Sequence, residues 1–305
     1  MTANRKSHLN ANCNYQTQYF ALRLCTIGLE DTPMQPAQNN IDQIKQRMRN
    51  TWSAGDFGQI ARYSAQCAEE FVDRLDLQPG VRVLDVACGT GNLAIPAARK
   101  GAQVWGADIA ANLLEQARQR ATAEGLKAVF EEGDAEQLPY PDAHFDVVLS
   151  MFGAMFGPRP ELVASELARV CRPKGTIAMA NWIPTGFVAR QFALGNRYAP
   201  PPQGIPAPVE WGEEQIVRQR LGPYTSEIRT ARQTLDFDYP FPPRDVVQFF
   251  RQYFGPTLVA FSRLPADAQT AYIADLESLW SEHNQASDGR TVVRAEYLEV
   301  IATRA

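Results

Sequence analysis

One stretch limits the folds open to this chain more than any other: residues 83–94, which read V-L-D-V-A-C-G-T-G-N-L-A. Its apolar start predicts a buried strand over residues 81–86, and Gly89 and Gly91 predict a tight turn after that strand. A helix is expected to open near Asn92. The glycines let a ligand approach the backbone closely, and the helix end offers unpaired N–H groups. The stretch therefore predicts a small-molecule site.

Strands and helices continue to alternate after this stretch. Further strands are predicted, with helices between them, at residues 103–107, 128–132, 145–150 and 176–181. Repeated β-α units of this length imply a parallel sheet with helices on both faces. Ligands of such sheets bind beyond the carboxyl ends of the strands. The sequence places Asp85, Asp108, Asp134 and residues 150–152 at that edge.

Four segments are expected along the chain. Residues 1–39 are polar and rich in Asn and Gln, which predicts a disordered N-terminal extension. Residues 40–79 predict helices, which either pack on the sheet or fold over the site as a lid through residues 52–63. Residues 80–182 form the expected ligand-binding core. Residues 183–305 combine cap insertions, rich in proline at first, with the final strands of the sheet.

Composition and charge argue against several classes of protein. A net charge of −4 gives no general field for nucleic acid, and no run approaches the ~20 apolar residues that span a bilayer. The five cysteines are scattered and odd in number, which predicts a reducing cytoplasm without disulfides. The three histidines lie at no metal-ligand spacing, so no metal site is predicted. The expected partner is a small molecule, and the sequence leaves the oligomeric state open.

The glycine turn is compatible with two cofactors. The run from Gly89 to Ala94 also fits the G-x-G-x-x-A pattern of dinucleotide binders, with Asp108 as the acid for a ribose. Asp85 before the turn would repel a pyrophosphate, whereas it suits the ammonium and sulfonium groups of S-adenosylmethionine. Asp134 adds a third carboxylate at the same edge, placed to accept from an adenine amino group. The three acids therefore favour S-adenosylmethionine over NAD(P).

Four motifs occur in order along the core: V-L-D-V-A-C-G-T-G at residues 83–91, A-D-I at 107–109, G-D-A-E-Q-L-P-Y-P-D at 133–142 and F-D-V-V at 145–148. Together they resemble class I S-adenosylmethionine-dependent methyltransferases, and they look closest to the ubiquinone/menaquinone C-methyltransferase-like branch. The resemblance implies an α/β, Rossmann-like, doubly wound sheet of seven strands. The last strand of that sheet is antiparallel, and helical insertions cap it.

The resemblance also implies which residues bind the cofactor. The methionine part would be surrounded by residues of the first motif, namely Asp85, Ala87, Gly89, Thr90 and Gly91. Asp108 would bind the ribose hydroxyls, and Ile109 would pack on adenine. Asp134 and Ala135 would meet the edge of adenine, and Met151 would contact the cofactor after the fourth strand.

Two departures from the family pattern affect these expectations. Ala87 stands where the family usually has its first glycine, which is tolerable if φ at Ala87 is negative. The quinone enzymes follow Phe-Gly with a polar run, whereas here the sequence continues as F-G-A-M-F over residues 152–156. This apolar run argues against a quinone substrate.

An apolar pocket for the methyl acceptor is expected beside the cofactor. Its candidate side chains, which core packing explains equally well, are Phe152, Met155, Phe156 and Trp182. The sulfonium of the cofactor is already a good leaving group. In-line positioning of the attacking acceptor atom therefore supplies much of the rate. His283 is the better candidate for a general base, and a solvated helix end is its alternative role. His144 falls in a polar loop and is a poorer candidate.

The sequence thus predicts a cytoplasmic S-adenosylmethionine-dependent methyltransferase that acts on a small, apolar or aromatic acceptor. C-methylation and O-methylation both remain open, and no catalytic residue is assigned beyond His283. Two alternatives stay in view: an NAD(P)-dependent reductase, and a non-catalytic module that binds S-adenosylmethionine.

Overall fold

A computed structural model describes residues 38–305. The extension predicted for residues 1–39 lies outside this range except at its last two positions, where the first helix has already begun. The described helices are α1 (Gln38–Trp52), α2 (Phe57–Ala61), α3 (Ala65–Arg74), α4 (Ala94–Arg99), α5 (Ala111–Ala123), α6 (Pro160–Val170), α7 (Phe187–Tyr198), α8 (Glu214–Leu221), α9 (Pro243–Tyr253), α10 (Gly255–Arg263) and α11 (Ala266–His283). None of these helices has both the length and the apolar character that a membrane crossing requires.

Seven strands of the described chain form one sheet. They are β1 (Arg82–Val86), β2 (Gln103–Asp108), β3 (Ala128–Glu132), β4 (Phe145–Met151), β5 (Cys171–Trp182), β6 (Thr225–Tyr239) and β7 (Thr291–Arg304). Their order is β3-β2-β1-β4-β5-β7-β6. The first five strands pair in parallel, and β7 runs antiparallel to both of its neighbours. The doubly wound sheet with an antiparallel last strand is therefore confirmed.

The strand order reverses at β1, which lies between β2 and β4. The central strands are apolar on both faces, as parallel strands covered by helices on two sides must be. Val83, Leu84 and Val86 of β1, and Val148 and Leu149 of β4, have no exposed surface. Since the chain leaves β1 toward β2 and leaves β4 toward β5, in opposite directions along the sheet, a crevice opens at the carboxyl end of β1, where open α/β sheets bind ligands.

The structure differs from the sequence prediction in two places. The helix expected to open near Asn92 begins at Ala94, because residues 91–93 are used in turns. The segment 255–263, for which the sequence predicted no helix, is helical as α10. Its Gly255-Pro256 pair resembles a loop signal, but proline is also favoured in the first turn of a helix, which is where it lies.

The N-terminal helices are fastened to the cap by a close contact between backbones. Gly55, just after α1, forms an isolated antiparallel bridge with Phe254, which separates α9 from α10. A Cβ placed on Gly255 would lie 2.0 Å from the carbonyl oxygen of Thr51, and one on Gly55 would lie 2.5 Å from that of Tyr253. The two chains approach this closely only because neither position carries a side chain.

Replacing Gly255 with alanine is expected to lower the free energy of unfolding by about 1–3 kcal/mol, because the Thr51 carbonyl must move to admit the new methyl group. Urea denaturation of the full chain measures the change. Gly222→Ala is the matched control, since Gly222 has helical dihedrals (φ −50°, ψ −43°) and nothing lies within 4 Å of an added Cβ. Equal midpoints for the two variants would contradict this contact.

Candidate functional site

The turn after β1 has left-handed backbone conformations at three positions. Ala87, Gly89 and Gly91 have φ values of 55°, 52° and 82°. Ala87 therefore lacks the negative φ that would make an alanine tolerable there without strain. A Cβ on Gly153, after β4, would lie only 2.6 Å from the Cβ of Ala87, so the bare backbone of Gly153 leaves the space that Ala87 occupies. A non-glycine residue in this region costs of order 1–3 kcal/mol, and such strain clusters at functional sites.

Asp108, at the end of β2, holds this turn in place. Its Oδ2 accepts the N–H of Gly89 at 2.8 Å, and its Oδ1 accepts the N–H of Ala110 at 2.9 Å. Burial raises the pKa of the Asp108 carboxyl. Each carboxylate oxygen can accept a second hydrogen bond, so Asp108 can bind ligand hydroxyls while it holds the turn.

Asp85 is a buried carboxylate, 2% exposed, that forms no ion pair with the described residues. Its Oδ2 accepts the N–H of Ala94, in the first turn of α4, at 3.1 Å. Burial, with the negative charge of Asp108 nearby, raises the pKa of Asp85 to about 8. A buried acid without a counter-ion is costly in its charged form. A cationic ligand would offset that cost.

A second contact to the turn comes from Arg120 on α5, which the sequence analysis did not single out. Its Nη1 donates to the carbonyl oxygen of Thr90 at 2.6 Å and to Oδ1 of Asn92 at 2.8 Å. Burial lowers the pKa of Arg120. On α5 this residue reads as an ordinary basic position near the end of a helix, so only the packing of α5 beside the turn reveals it.

Asp134, in the loop after β3, meets a lysine from the N-terminal region. Lys45 of α1 places Nζ 2.6 Å from Oδ2 of Asp134 and 2.6 Å from Oε2 of Glu136. The other oxygen of Asp134 accepts the N–H of Glu136 at 2.9 Å. Lys45 stands in a polar stretch of sequence with no motif around it, so this pairing depends on how α1 lies over the sheet.

These elements enclose a cavity of about 410 Å³ at the carboxyl edge of the sheet, a size usual for a small-molecule site. It is lined by nine of the ten predicted cofactor residues, namely Asp85, Ala87, Gly89, Thr90, Asp108, Ile109, Asp134, Ala135 and Met151. Gly91 does not line it. A Cβ on Gly91 would lie 3.3 Å from Ile95 and 3.4 Å from Ala117, so this glycine lets α4 and α5 pack closely instead.

The N-terminal helices supply an apolar wall of the cavity. Met48 and Trp52 of α1, and Phe57 of α2, all line it. The ring of Trp52 meets those of Phe57 and Phe156 edge to face, with centroids 5.7 Å and 5.1 Å apart. The sequence predicted helices over residues 40–79, but it left open whether they pack on the sheet or fold over the site.

The candidate acceptor residues divide into two groups. Phe152 and Phe156 line the cavity, whereas Met155 is buried in the core and Trp182 lies behind Phe152. The rings of Phe152 and Trp182 stack at 3.6 Å with an interplanar angle of 6°. Phe152 has a φ of 59°, an outlier for a bulky residue. The stack holds the Phe152 ring at the site, so Trp182 acts through Phe152.

The two candidate histidines lie away from the cavity. His283 ends α11, where its Nδ1 donates to the carbonyl oxygen of Leu279 at 2.9 Å and its ring packs on Phe187. His144 packs edge to face against the rings of Trp105 and Phe145. Both side chains therefore contact other elements of the fold rather than the space where an acceptor would be methylated.

The cysteine of the turn, Cys88, has a packing role rather than a reactive one. Cys88 faces the cavity, but it is buried, and burial raises the pKa of its thiol well above the usual value. A Cβ on Gly106 would lie 2.9 Å from its sulfur, which indicates tight packing in the turn. No group of His, Cys, Asp and Glu side chains in residues 38–305 is arranged to hold a metal ion.

Comparisons with known proteins show similarity to methyltransferases. The family described as "Methyltransferase domain" matches residues 83–175. The chain is 37% identical over 252 residues to Uncharacterized protein Rv1403c of Mycobacterium tuberculosis, which covers 82% of this chain and 91% of that protein. It is 40% identical over 130 residues to Methyltransferase GfsG of Streptomyces halstedii, covering 42% and 47% of the two chains. A putative methyltransferase from Bacillus halodurans has a similar fold, with a TM-score of 0.52, 20% identity, and coverage of 77% and 97%.

The pKa of about 8 at Asp85 predicts that binding of S-adenosylmethionine strengthens as the pH rises from 6 to 8. In the free protein the carboxyl is protonated below pH 8, and a cationic ligand favours its ionised form. Binding therefore releases a proton, and affinity rises by up to about tenfold per pH unit. Calorimetry in buffers of different ionisation enthalpy counts that proton. Asp85→Asn should bind more weakly at pH 8 and release no proton from this position, whereas equal proton release would contradict the assignment.

Asp108→Ala is expected to weaken S-adenosylmethionine binding by about 100-fold or more, because it removes charge-assisted hydrogen bonds to the ligand and the anchor of the turn. Titration calorimetry measures the affinity, and far-UV circular dichroism checks that the fold persists. Asp142→Ala is the control, since that carboxylate is exposed and pairs with Arg169 outside the cavity. Undiminished binding by Asp108→Ala would remove this residue from the site.

Proposed function

The chain belongs to the class I S-adenosylmethionine-dependent methyltransferases, S-adenosylmethionine is its cofactor, and on this premise we propose that it methylates a small, apolar or aromatic acceptor. One observation carries the proposal: the same cavity is lined by carboxylates, among them Asp85, Asp108 and Asp134, and by aromatic rings. The acids suit a cationic cofactor. The rings offer an apolar surface to an acceptor beside it.

The residues present fit this cofactor at each part of the cavity. When bound, S-adenosylmethionine supplies an activated methyl group on a sulfonium. Asp85 would compensate the positive charge of the methionine part, which gives the buried carboxylate the counter-ion that the described chain does not supply. Asp108 would accept from the ribose hydroxyls, and Asp134 would accept from the adenine amino group. Ile109 and Leu113 offer apolar surface for the adenine ring.

The proposed acceptor side is formed by Phe152, Phe156, Trp52 and Phe57. Aromatic faces stabilise a nearby cation, so rings beside a sulfonium would favour its binding. They also exclude water from the reacting atoms. Trp182 would fix the angle at which Phe152 meets the acceptor, since the two rings are stacked. We propose that positioning by these rings, rather than a histidine base, supplies most of the rate.

Finer points of the proposal have separate support. The motifs favour the ubiquinone/menaquinone C-methyltransferase-like branch, whereas the apolar run at residues 152–156 speaks against a quinone. The proposal therefore covers both C- and O-methylation.

A small molecule rather than nucleic acid is the proposed partner, supported by the net charge of −4. A cytoplasmic location is supported by the free, buried thiols of Cys67, Cys88 and Cys171.

The proposal is tested by incubating the full chain with methyl-labelled S-adenosylmethionine and a whole cell extract, and then separating the small-molecule, protein and nucleic-acid fractions. Label should pass to a product that partitions into organic solvent, and mass spectrometry of that product identifies the acceptor. Retained cofactor binding without transfer to any fraction would indicate a non-catalytic module. Transfer only to protein or nucleic acid would contradict the proposed acceptor class.

Phe156→Ala should lower kcat/KM for that acceptor by at least about tenfold, the rate change of 1.36 kcal/mol, while cofactor affinity is kept. The reason is that this ring lines the acceptor side and supports Trp52. Phe241→Ala is the matched control, because Phe241 is also half-buried but packs on Tyr239 and Phe249 outside the cavity. Equal kinetics for the two variants would contradict the assignment of this wall.

A further inference from the structure

We propose that Lys45 is a positioning residue that fastens helix α1 over the adenine end of the cavity by pairing with Glu136, while it shares Asp134 with the bound cofactor. This inference deepens the proposed function and rests on the cofactor site described there. It assigns a role to a residue outside the motifs of the core, in a helix that precedes the sheet.

The pairing joins one ammonium group to two carboxylates. Lys45 Nζ lies 2.6 Å from Asp134 Oδ2 and 2.6 Å from Glu136 Oε2. The side chain of Lys45 is 21% exposed, that of Asp134 is 30% exposed and that of Glu136 is not exposed at all. Screening by water and salt is weaker at such a site than at an open surface pair. The three side chains therefore form a stronger link than an ordinary surface salt bridge.

Glu136 is the fixed end of this link. Its carboxylate also accepts from Arg159, through the Arg159 backbone N–H and through Nε at 2.8 Å. A fully buried carboxylate is stable only when its charge is compensated, and Lys45 and Arg159 are the cations that do so. Glu136 does not line the cavity, so a cofactor bound there leaves the Lys45–Glu136 pair intact.

Asp134 is the end of the link that responds to the cofactor. One oxygen is used by the N–H of Glu136, and the other faces Lys45. A carboxylate oxygen accepts two hydrogen bonds, so Oδ2 can receive an adenine amino group beside Lys45. The ammonium has three donors and keeps its bond to Glu136 throughout. Lys45 thereby compensates Asp134 without displacing the adenine.

The same face of α1 reaches the acceptor side of the cavity. Lys45, Met48 and Trp52 follow one another at spacings of three and four residues, which places them on one side of the helix. All three line the cavity. Fixing Lys45 at the adenine end therefore sets where Trp52 lies against Phe57 and Phe156 at the other end. Release of Lys45 would loosen both ends together.

The test is the rate at which S-adenosylhomocysteine dissociates from the full chain, measured by stopped-flow displacement. Lys45→Met keeps the length of the side chain but removes its charge, and it should release the ligand about tenfold faster and bind it correspondingly more weakly. Association should not slow, because an unfastened helix admits the ligand as readily. Lys45→Arg should restore slow release, since it can pair with the same two carboxylates.

Lys100→Met is the matched control. Lys100 pairs with Asp73 at 2.7 Å on the surface, away from the cavity, and its loss should leave the dissociation rate unchanged. Tighter binding by Lys45→Met would overturn the proposal, because Lys45 would then compete with adenine for Asp134. Unchanged release would overturn it as well. If the natural chain binds no S-adenosylhomocysteine, the cofactor site itself fails, and this inference fails with it.

Discussion

The two hydrogen bonds that the Asp108 carboxylate accepts from the backbone, one from Gly89 and one from Ala110, join the turn after β1 to the end of β2. The rest of the site is arranged around this junction. It holds the left-handed turn open at the point where the strand order reverses, and Arg120 supports the same turn from α5. Without this junction, the buried carboxylates and the aromatic wall would not face a common cavity.

The ionised carboxylate of Asp85 is electrostatically unfavourable while the site holds no cationic ligand. Asp85 is buried beside Asp108, and its raised pKa reflects the burial and that neighbouring charge. A cation bound there offsets the cost of burying the charged carboxylate. The site therefore selects a positively charged ligand over a neutral one. Asp134 already has its cation in Lys45. Two acids at one sheet edge thus differ in their need for a charged ligand, which matches a cofactor that is cationic at one end and neutral at its adenine.

The sequence predicted those features that depend on local pattern. Alternating strands and helices implied the sheet, and the strand ends placed Asp85, Asp108 and Asp134 together. The sign of φ at Ala87 could not be predicted from local pattern because it depends on Gly153, which is distant in sequence and adjacent in space. Lys45 and Arg120 were missed for the same reason.

The most direct measurement of the site is a crystal structure of the full chain with S-adenosylhomocysteine. We expect the ribose hydroxyls within hydrogen-bonding distance of Asp108, the adenine against Ile109 with its amino group at Asp134, and the amino-acid part beside Asp85. Lys45 should remain on Glu136. Electron density for the ligand outside this cavity, or a ribose turned away from Asp108, would contradict the assignment of the three carboxylates.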